Sequence, residues 1–335
     1  MLARGAGVAA GRASGGSTVA GPDRRRNGWL RGARGVPKRR RRHLRKWLPG
    51  LILVTPSLLA IGLFVYGFIG WNARYSVTDW KGLAPSENFV GAANYRELFV
   101  DQTFRNDSRN LVIFTAVFIL GALILGVTMA VLMDKGVWGE GALRAIFLFP
   151  MAISFIATGI IWRWLLNSDS GVGTTGINKL FDAVGLGFLH SEWHKSDSSF
   201  AVASIALPAT WALSGYVMAL FLAGLRGIPE ELREAARVDG ASEARVYWHV
   251  VRPLLLPVLM SAVVILAHIS LKTFDLIYAI DPGGPRTETP ALYMWLTSFR
   301  GGFFARGASI ATMLFVAIAL VVIPYIWYSM RQERR

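Results

Sequence analysis

The chain has 335 residues, of which 53% are hydrophobic and only 17% charged, and its mean hydropathy is +0.41. That balance excludes a soluble enzyme as the default and suits helices that cross a bilayer. The lack of cysteine excludes disulfides, thiolate catalysis and cysteine-based metal centres, and the formal net charge of +15 does not indicate a nucleic-acid partner, because it gathers in the first 46 residues.

Residues 1–46 are rich in Gly, Ala, Ser and Arg and nearly devoid of large apolar side chains, which predicts a disordered basic tail. Lys38, Arg39, Arg40, Arg41 and Arg42, with Arg45 and Lys46, stand directly before the first apolar run. There they act as a topology signal, and they suit anionic membrane lipid as a partner. The apolar run that follows is too long for a cleavable signal peptide and lacks a small-x-small cleavage site.

The remainder, 47–335, reads as one all-α membrane domain of six spans, at about 48–71, 110–133, 145–166, 200–225, 254–280 and 307–330. Segments 1–47, 134–144, 226–252 and 331–335 carry 24 Lys and Arg between them, against 8 for 72–107, 167–199 and 281–305. The positive-inside rule therefore places both termini and the 226–252 loop in the cytoplasm. In the first outer loop, Tyr95, Leu98 and Phe99 form one face of a short surface helix. In the second, His190, Glu192, His194 and Asp197 match no standard metal spacing, so no metal site is expected.

Gly227 to Pro257 is a polar segment between two apolar runs. Pro229 suits a first helical turn, and Glu230 and Glu231 follow it where the helix dipole favours carboxylates. Leu232, Ala235 and Ala236 make a small apolar face with Glu234 beside it. Gly240 suits the left-handed residue that ends a helix, and Ser242 suits the cap of a second one. Pro253 and Pro257 mark the start of the fifth span.

Few polar groups lie inside the spans, where a charge costs about 2.5–3.5 kcal/mol, so those present face protein or water. In the fourth span Trp211, Ser214, Gly215 and Tyr216 form a polar-aromatic band suited to a sugar, which has apolar faces and polar edges, and equally to helix packing. In the fifth span His268, Ser270, Lys272, Thr273 and Asp275 are the polar set. Lys272 and Asp275 stand three apart, where a helix would let them pair. The chain has no GxxxxGK[ST] phosphate loop, no HExxH and no GxSxG elbow, so it is expected neither to hydrolyse ATP nor to act as an enzyme.

The run Glu234-Ala235-Ala236, Asp239-Gly240-Ala241-Ser242, Val250 and Pro253 resembles the EAA coupling loop of ATP-binding-cassette importer permeases. It departs from the usual pattern at Arg252, where Leu is common, and at Val250, where Ile is. The ending Trp162-Arg163-Trp164-Leu165 also resembles the family, and the stretch Phe89–Phe99 and the run Phe274-Asp275-Leu276-Ile277-Tyr278 before Gly283-Gly284-Pro285 resemble its carbohydrate branch. The resemblance covers about 47–335. It implies a transport subunit in a bacterial inner membrane, delivering a sugar or oligosaccharide handed over by a solute-binding protein. A second, similar permease and two cytoplasmic ATPase subunits would be its partners, with ATP and Mg held there and no cofactor in this chain. Glu234, Ala235, Ala236, Asp239, Gly240 and Pro253 would belong to the coupling loop. Trp211, Ser214, Tyr216, Ser270 and Thr273 would line the substrate path. A sugar phosphate or polyol remains an alternative cargo. A secondary transporter is the rival class, without the inverted repeats and buried carboxylates it would need.

Overall fold

The computed structural model describes residues 40–169 and 173–332. They fall in two units, divided between Leu59 and Ala60. The expected disordered tail lies outside the described residues up to 39, and a helix runs over Arg40–Ile61.

The described residues are helical throughout, apart from loops and one isolated bridge between Thr78 and Phe89. Four helices are long and apolar enough to cross a membrane: α1 (Ile52–Tyr75), α3 (Gln102–Asp134), α7 (Phe200–Arg226) and α13 (Phe304–Arg331). Two bent pairs complete six spans when each is counted as one. Between α1 and α3 lies the short α2 (Ala93–Val100), which buries Leu98 and leaves Phe99 outside.

The third and fifth spans are bent. The third divides into Glu140–Ala152, whose α-helical part is α4 (Glu140–Leu148), and α5 (Phe155–Leu165), at 99° to one another. Pro150 ends the first arm, Ile153 is extended, and the Ser154 hydroxyl accepts from the Ala157 N–H to start the second. A small helix, α6 (Gly176–Ala183), follows in the loop. In the fifth region α9 (Glu243–Leu254) meets α10 (Leu256–Leu271) at 61°. The helix breaks again at Lys272–Phe274 before α11 (Asp275–Ile280). Lys272 and Asp275 therefore sit on opposite sides of a break and make no ion pair among the described residues, contrary to the helical spacing.

The centre of the bundle is the packing of α3 on α7. On α3, Phe114, Phe118, Ala122, Gly126 and Ala130 recur every four residues along one buried stripe. It faces α7, which is buried around most of its circumference. Small residues set how close the helices come. A Cβ on Gly126 would lie 2.6 Å from Val217, and one on Gly215 would lie 1.9 Å from the Phe147 carbonyl oxygen. Neither position has room for alanine.

Polar contacts sort the connecting segments into two ends. At one, Arg226 pairs with Glu140 at 2.7 Å and Arg233 with Asp134 at 3.2 Å. At the other, Arg286 pairs with Asp197, Asn110 donates to the Glu288 carbonyl at 2.9 Å, and Arg109 donates to Ser199 at 3.0 Å. Segments 134–144 and 226–252 thus meet at one end, and 167–199 and 281–305 at the other.

Candidate functional site

The 227–257 segment folds as two helices around a tight turn. The first, α8 (Glu230–Val238), has Pro229 as its N-cap, one position earlier than the sequence suggested. Its end is a Schellman motif. The Ala241 N–H reaches the Ala236 carbonyl at 3.0 Å, the Gly240 N–H reaches Arg237 at 2.9 Å, and Gly240 takes φ +79°. Ala236 and Ala241, the two apolar residues that usually touch in this motif, both pack against the core. Ser242 starts the second helix in extended conformation, but its hydroxyl makes no capping bond.

The three apolar residues expected on one face of α8 divide. Ala236 turns inward beside Arg233, whereas Leu232 and Ala235 are exposed. Glu234, Asp239 and Gly240 are exposed as well. A Cβ on Gly240 would meet nothing within 4 Å. Ala235, Glu234 and the turn thus form a free tip, and Pro253 sits where α9 ends.

What holds the tip is a set of charges the sequence reading passed over. Arg233 is largely buried, with 16% of its side chain exposed, and bridges to Asp134 at the end of α3. Its other nitrogen donates to the Leu225 carbonyl at 2.9 Å. Arg237 joins the two helices of the tip, pairing with Glu243 at 2.8 Å and Glu230 at 2.9 Å. Hydrogen bonds first to Glu243 and then to Glu230 hold its proton more firmly than in an isolated guanidinium. The signal was present as opposite charges at 230, 233 and 237; the partners Asp134 and Glu243 lie outside that helix. Beneath the tip is a cavity of about 610 Å³, lined among others by Asp134, Arg233, Arg237 and Tyr247.

The candidate path residues do not share one surface. At about 100° per residue, Trp211 and Tyr216 lie roughly 140° apart around α7. Trp211 is 37% exposed and its ring lies 6.0 Å from that of Trp162. Tyr216 is half-buried against the core. Ser214, Ser270 and Thr273 are buried. Their hydroxyls donate back to their own helices, to Trp211, Ala267 and Ile269. Ser270 also accepts from Thr115 at 3.0 Å, tying the fifth span to α3. His268 is half-buried. In this conformation Trp211 is the exposed member of the set.

At the far end, Asp101 caps α3, accepting from the Thr103 N–H at 2.8 Å and from the Tyr293 hydroxyl at 2.8 Å; Arg306 completes the cluster. Burial opposes ionisation of Asp101, but these donors outweigh it and hold the carboxyl below its ordinary range. Tyr293 lies on α12 (Pro290–Trp295). Three of the four residues considered for a metal are placed as follows. His190 meets Asp182 at 2.9 Å, Asp197 meets Arg286, and His194 is buried, which pushes its pKa down. Among the described residues no three His, Cys, Asp or Glu come together to hold a metal ion.

A bundle of bent and straight apolar helices, with a charged two-helix knob tied to one end, defines a polytopic transport subunit. Over residues 122–335 the chain matches the family described as the binding-protein-dependent transport system inner membrane component, and it belongs to that family. It is 42% identical over 291 residues to a probable ABC transporter permease of Pyrococcus horikoshii, covering 86% of this chain and 98% of that one. It is 33% identical over 278 residues to a xylose/arabinose import permease of Haloferax volcanii, covering 81% and 85%. Its fold is that of a chain of a bacterial alginate ABC transporter, solved in complex with an alginate pentasaccharide-bound periplasmic protein. The TM-score is 0.72 at 17% identity, covering 88% of this chain and 98% of that one.

Proposed function

We propose that this chain is one permease subunit of an ATP-driven importer for a sugar or oligosaccharide, and that residues 229–242 are its coupling element. The observation that carries the reading is the exposed tip, Glu234, Ala235, Asp239 and Gly240, fixed at its base to α3 and α7 through Arg233. A rigid, protruding knob transmits a push; a loose loop would absorb it. The partners proposed are a second permease, a dimeric cytoplasmic ATPase that holds ATP and Mg, and an extracytoplasmic solute-binding protein. The alginate transporter solved with its periplasmic protein supports the last of these. Both termini and the knob lie in the cytoplasm on the charge balance of the loops. ATP closure of the ATPase would then press on α8, and α3 and α7 would carry that motion into the bundle.

The test is purification of the chain with its associated subunits, with ATP hydrolysis measured with and without binding protein and sugar. An ATPase should accompany the wild type. Glu234→Lys should reach the membrane at the wild-type level yet lose stimulation by substrate, because the cation reverses a carboxylate contact at the tip. Full transport by this variant would reduce the knob to a connector.

A further inference from the structure

The helix between the knob and the fifth span carries an exposed face of its own. On α9, Val246 and Val251 are buried, while Arg245, Trp248, His249 and Arg252 are all exposed. Trp248 is 56% exposed, and the Arg252 guanidinium stacks over its ring, 4.8 Å from the centroid. Among the described residues Arg252 and Arg245 pair with no carboxylate, although the neighbouring Arg233 and Arg237 are both paired. The acidic residue of this helix, Glu243, is taken by Arg237.

Beside this basic, aromatic face lies an apolar groove of about 220 Å³. Its walls are Val127 of α3, Phe221 of α7, and Leu255, Leu256 and Leu259 at the start of the fifth span, and Trp248 and Arg252 stand with them. The helix leaves the groove at 61° to the span that follows. A segment inclined to a membrane span, basic and Trp-bearing on its free face, is built like a helix that lies in the headgroup layer. Guanidinium groups suit phosphate, Trp suits the water–lipid boundary, and a slot between spans suits an acyl chain.

We propose that Arg252, Trp248 and the groove beside them form a binding site for an anionic phospholipid of the adjacent leaflet, with Arg252 on the phosphate and the acyl chain between α3, α7 and α10. The site rests on the membrane-spanning class of the protein and is independent of what it transports. Arg252 is also the position at which the segment departs from the usual Leu, and an arginine there gives the groove a charged mouth that leucine would close with a methyl group.

The experiment uses the chain purified with its accompanying subunits. It is equilibrated in vesicles of phosphatidylcholine alone or mixed with an equal share of phosphatidylglycerol, extracted in mild detergent, and assayed for retained phospholipid by mass spectrometry. Wild type should retain phosphatidylglycerol over phosphatidylcholine by about tenfold, as expected of one desolvated charge–phosphate contact. Arg252→Leu should lose most of that preference, Arg252→Lys should keep part of it, and Trp248→Ala should lower retention of both lipids. Recovery of the Arg252→Leu complex with its accompanying subunits shows that the variant has folded. Equal phosphatidylglycerol retention by wild type and Arg252→Leu would overturn the proposal. So would loss of the accompanying subunits from Arg252→Leu with lipid retention unchanged, which would give this face to a protein partner.

Discussion

Cutting the tether between Arg233 and Asp134 should loosen the knob by a measurable free energy. The two groups are 3.2 Å apart, with 16% and 18% of their side chains exposed. Removing one partner from a fully buried pair costs about 3–5 kcal/mol, and an exposed pair is worth about 0–1 kcal/mol. This pair lies between those limits, and Arg233 also donates at 2.9 Å to the Leu225 carbonyl, which Arg233→Ala would leave without that donor. A loss of about 2 kcal/mol follows for Arg233→Ala, or roughly a 30-fold rise in the detached population of the knob. Asp134→Ala should cost somewhat less, because the Leu225 contact survives. Hydrogen exchange of backbone amides in 230–241 reads the detached population directly. Protection should fall about 30-fold for Arg233→Ala while amides along α7 keep theirs. The double variant should cost less than the sum of the single ones by about 1 kcal/mol. Unchanged protection in 230–241 would show that Arg233 does not hold the knob, and strictly additive losses would show that Arg233 and Asp134 act independently.

Two further outcomes are expected. Trp211→Ala should reduce uptake several-fold with the complex intact, because Trp211 is the exposed aromatic of the candidate path, whereas Tyr216→Ala should chiefly lower thermal stability, by about 2–4 kcal/mol, since Tyr216 packs on the core; equal uptake by wild type and Trp211→Ala would remove Trp211 from the path. Glu288 is 6% exposed, and burial, followed by the field of Asp281, pushes its carboxyl up to about 7 from an ordinary 4.5. The folded state then holds a proton the unfolded state has released, so the hold on 281–289 is strongest below pH 4.5 and weakens by about 1–3 kcal/mol as pH rises to 7. Thermal stability followed across that range should slope downward in wild type and flatten in Glu288→Gln; an equal slope in both would assign it to another group.

The fold was legible in the sequence wherever a signal is local. Long apolar runs place the helices, and Gly240 after Ala235-Ala236 marks the turn, because a left-handed residue and its Schellman bonds need only six consecutive residues. The bends were less legible. Pro150 and Pro253 are visible as helix disruptors, but whether a proline kinks a span or merely begins one depends on the caps around it: Ser154 starts a new helix at 99°, and the chain turns at Leu255 between two prolines. Trp211 and Tyr216, five residues apart, lie on different sides of α7, which helical spacing alone gives.

The tether was illegible for a different reason. Arg233 and Asp134 are 99 residues apart, and nothing in either neighbourhood names the other. They meet because α3 and α7 run side by side, and Gly126, which has no room for a side chain against Val217, lets those helices approach. The close approach of Gly126 to Val217 fixes the register of α3 against α7. That register sets Asp134, at the end of α3, against the Leu225 end of α7, and Arg233 bonds to both. A bulkier residue at Gly126 would therefore act on the knob from within the bundle, since the helix separation it forces would draw Asp134 away from Arg233. The stiffness of the exposed tip is thus a property of the α3–α7 contact as much as of the loop, and motion imposed at Glu234 has a packed route through Arg233 into both helices.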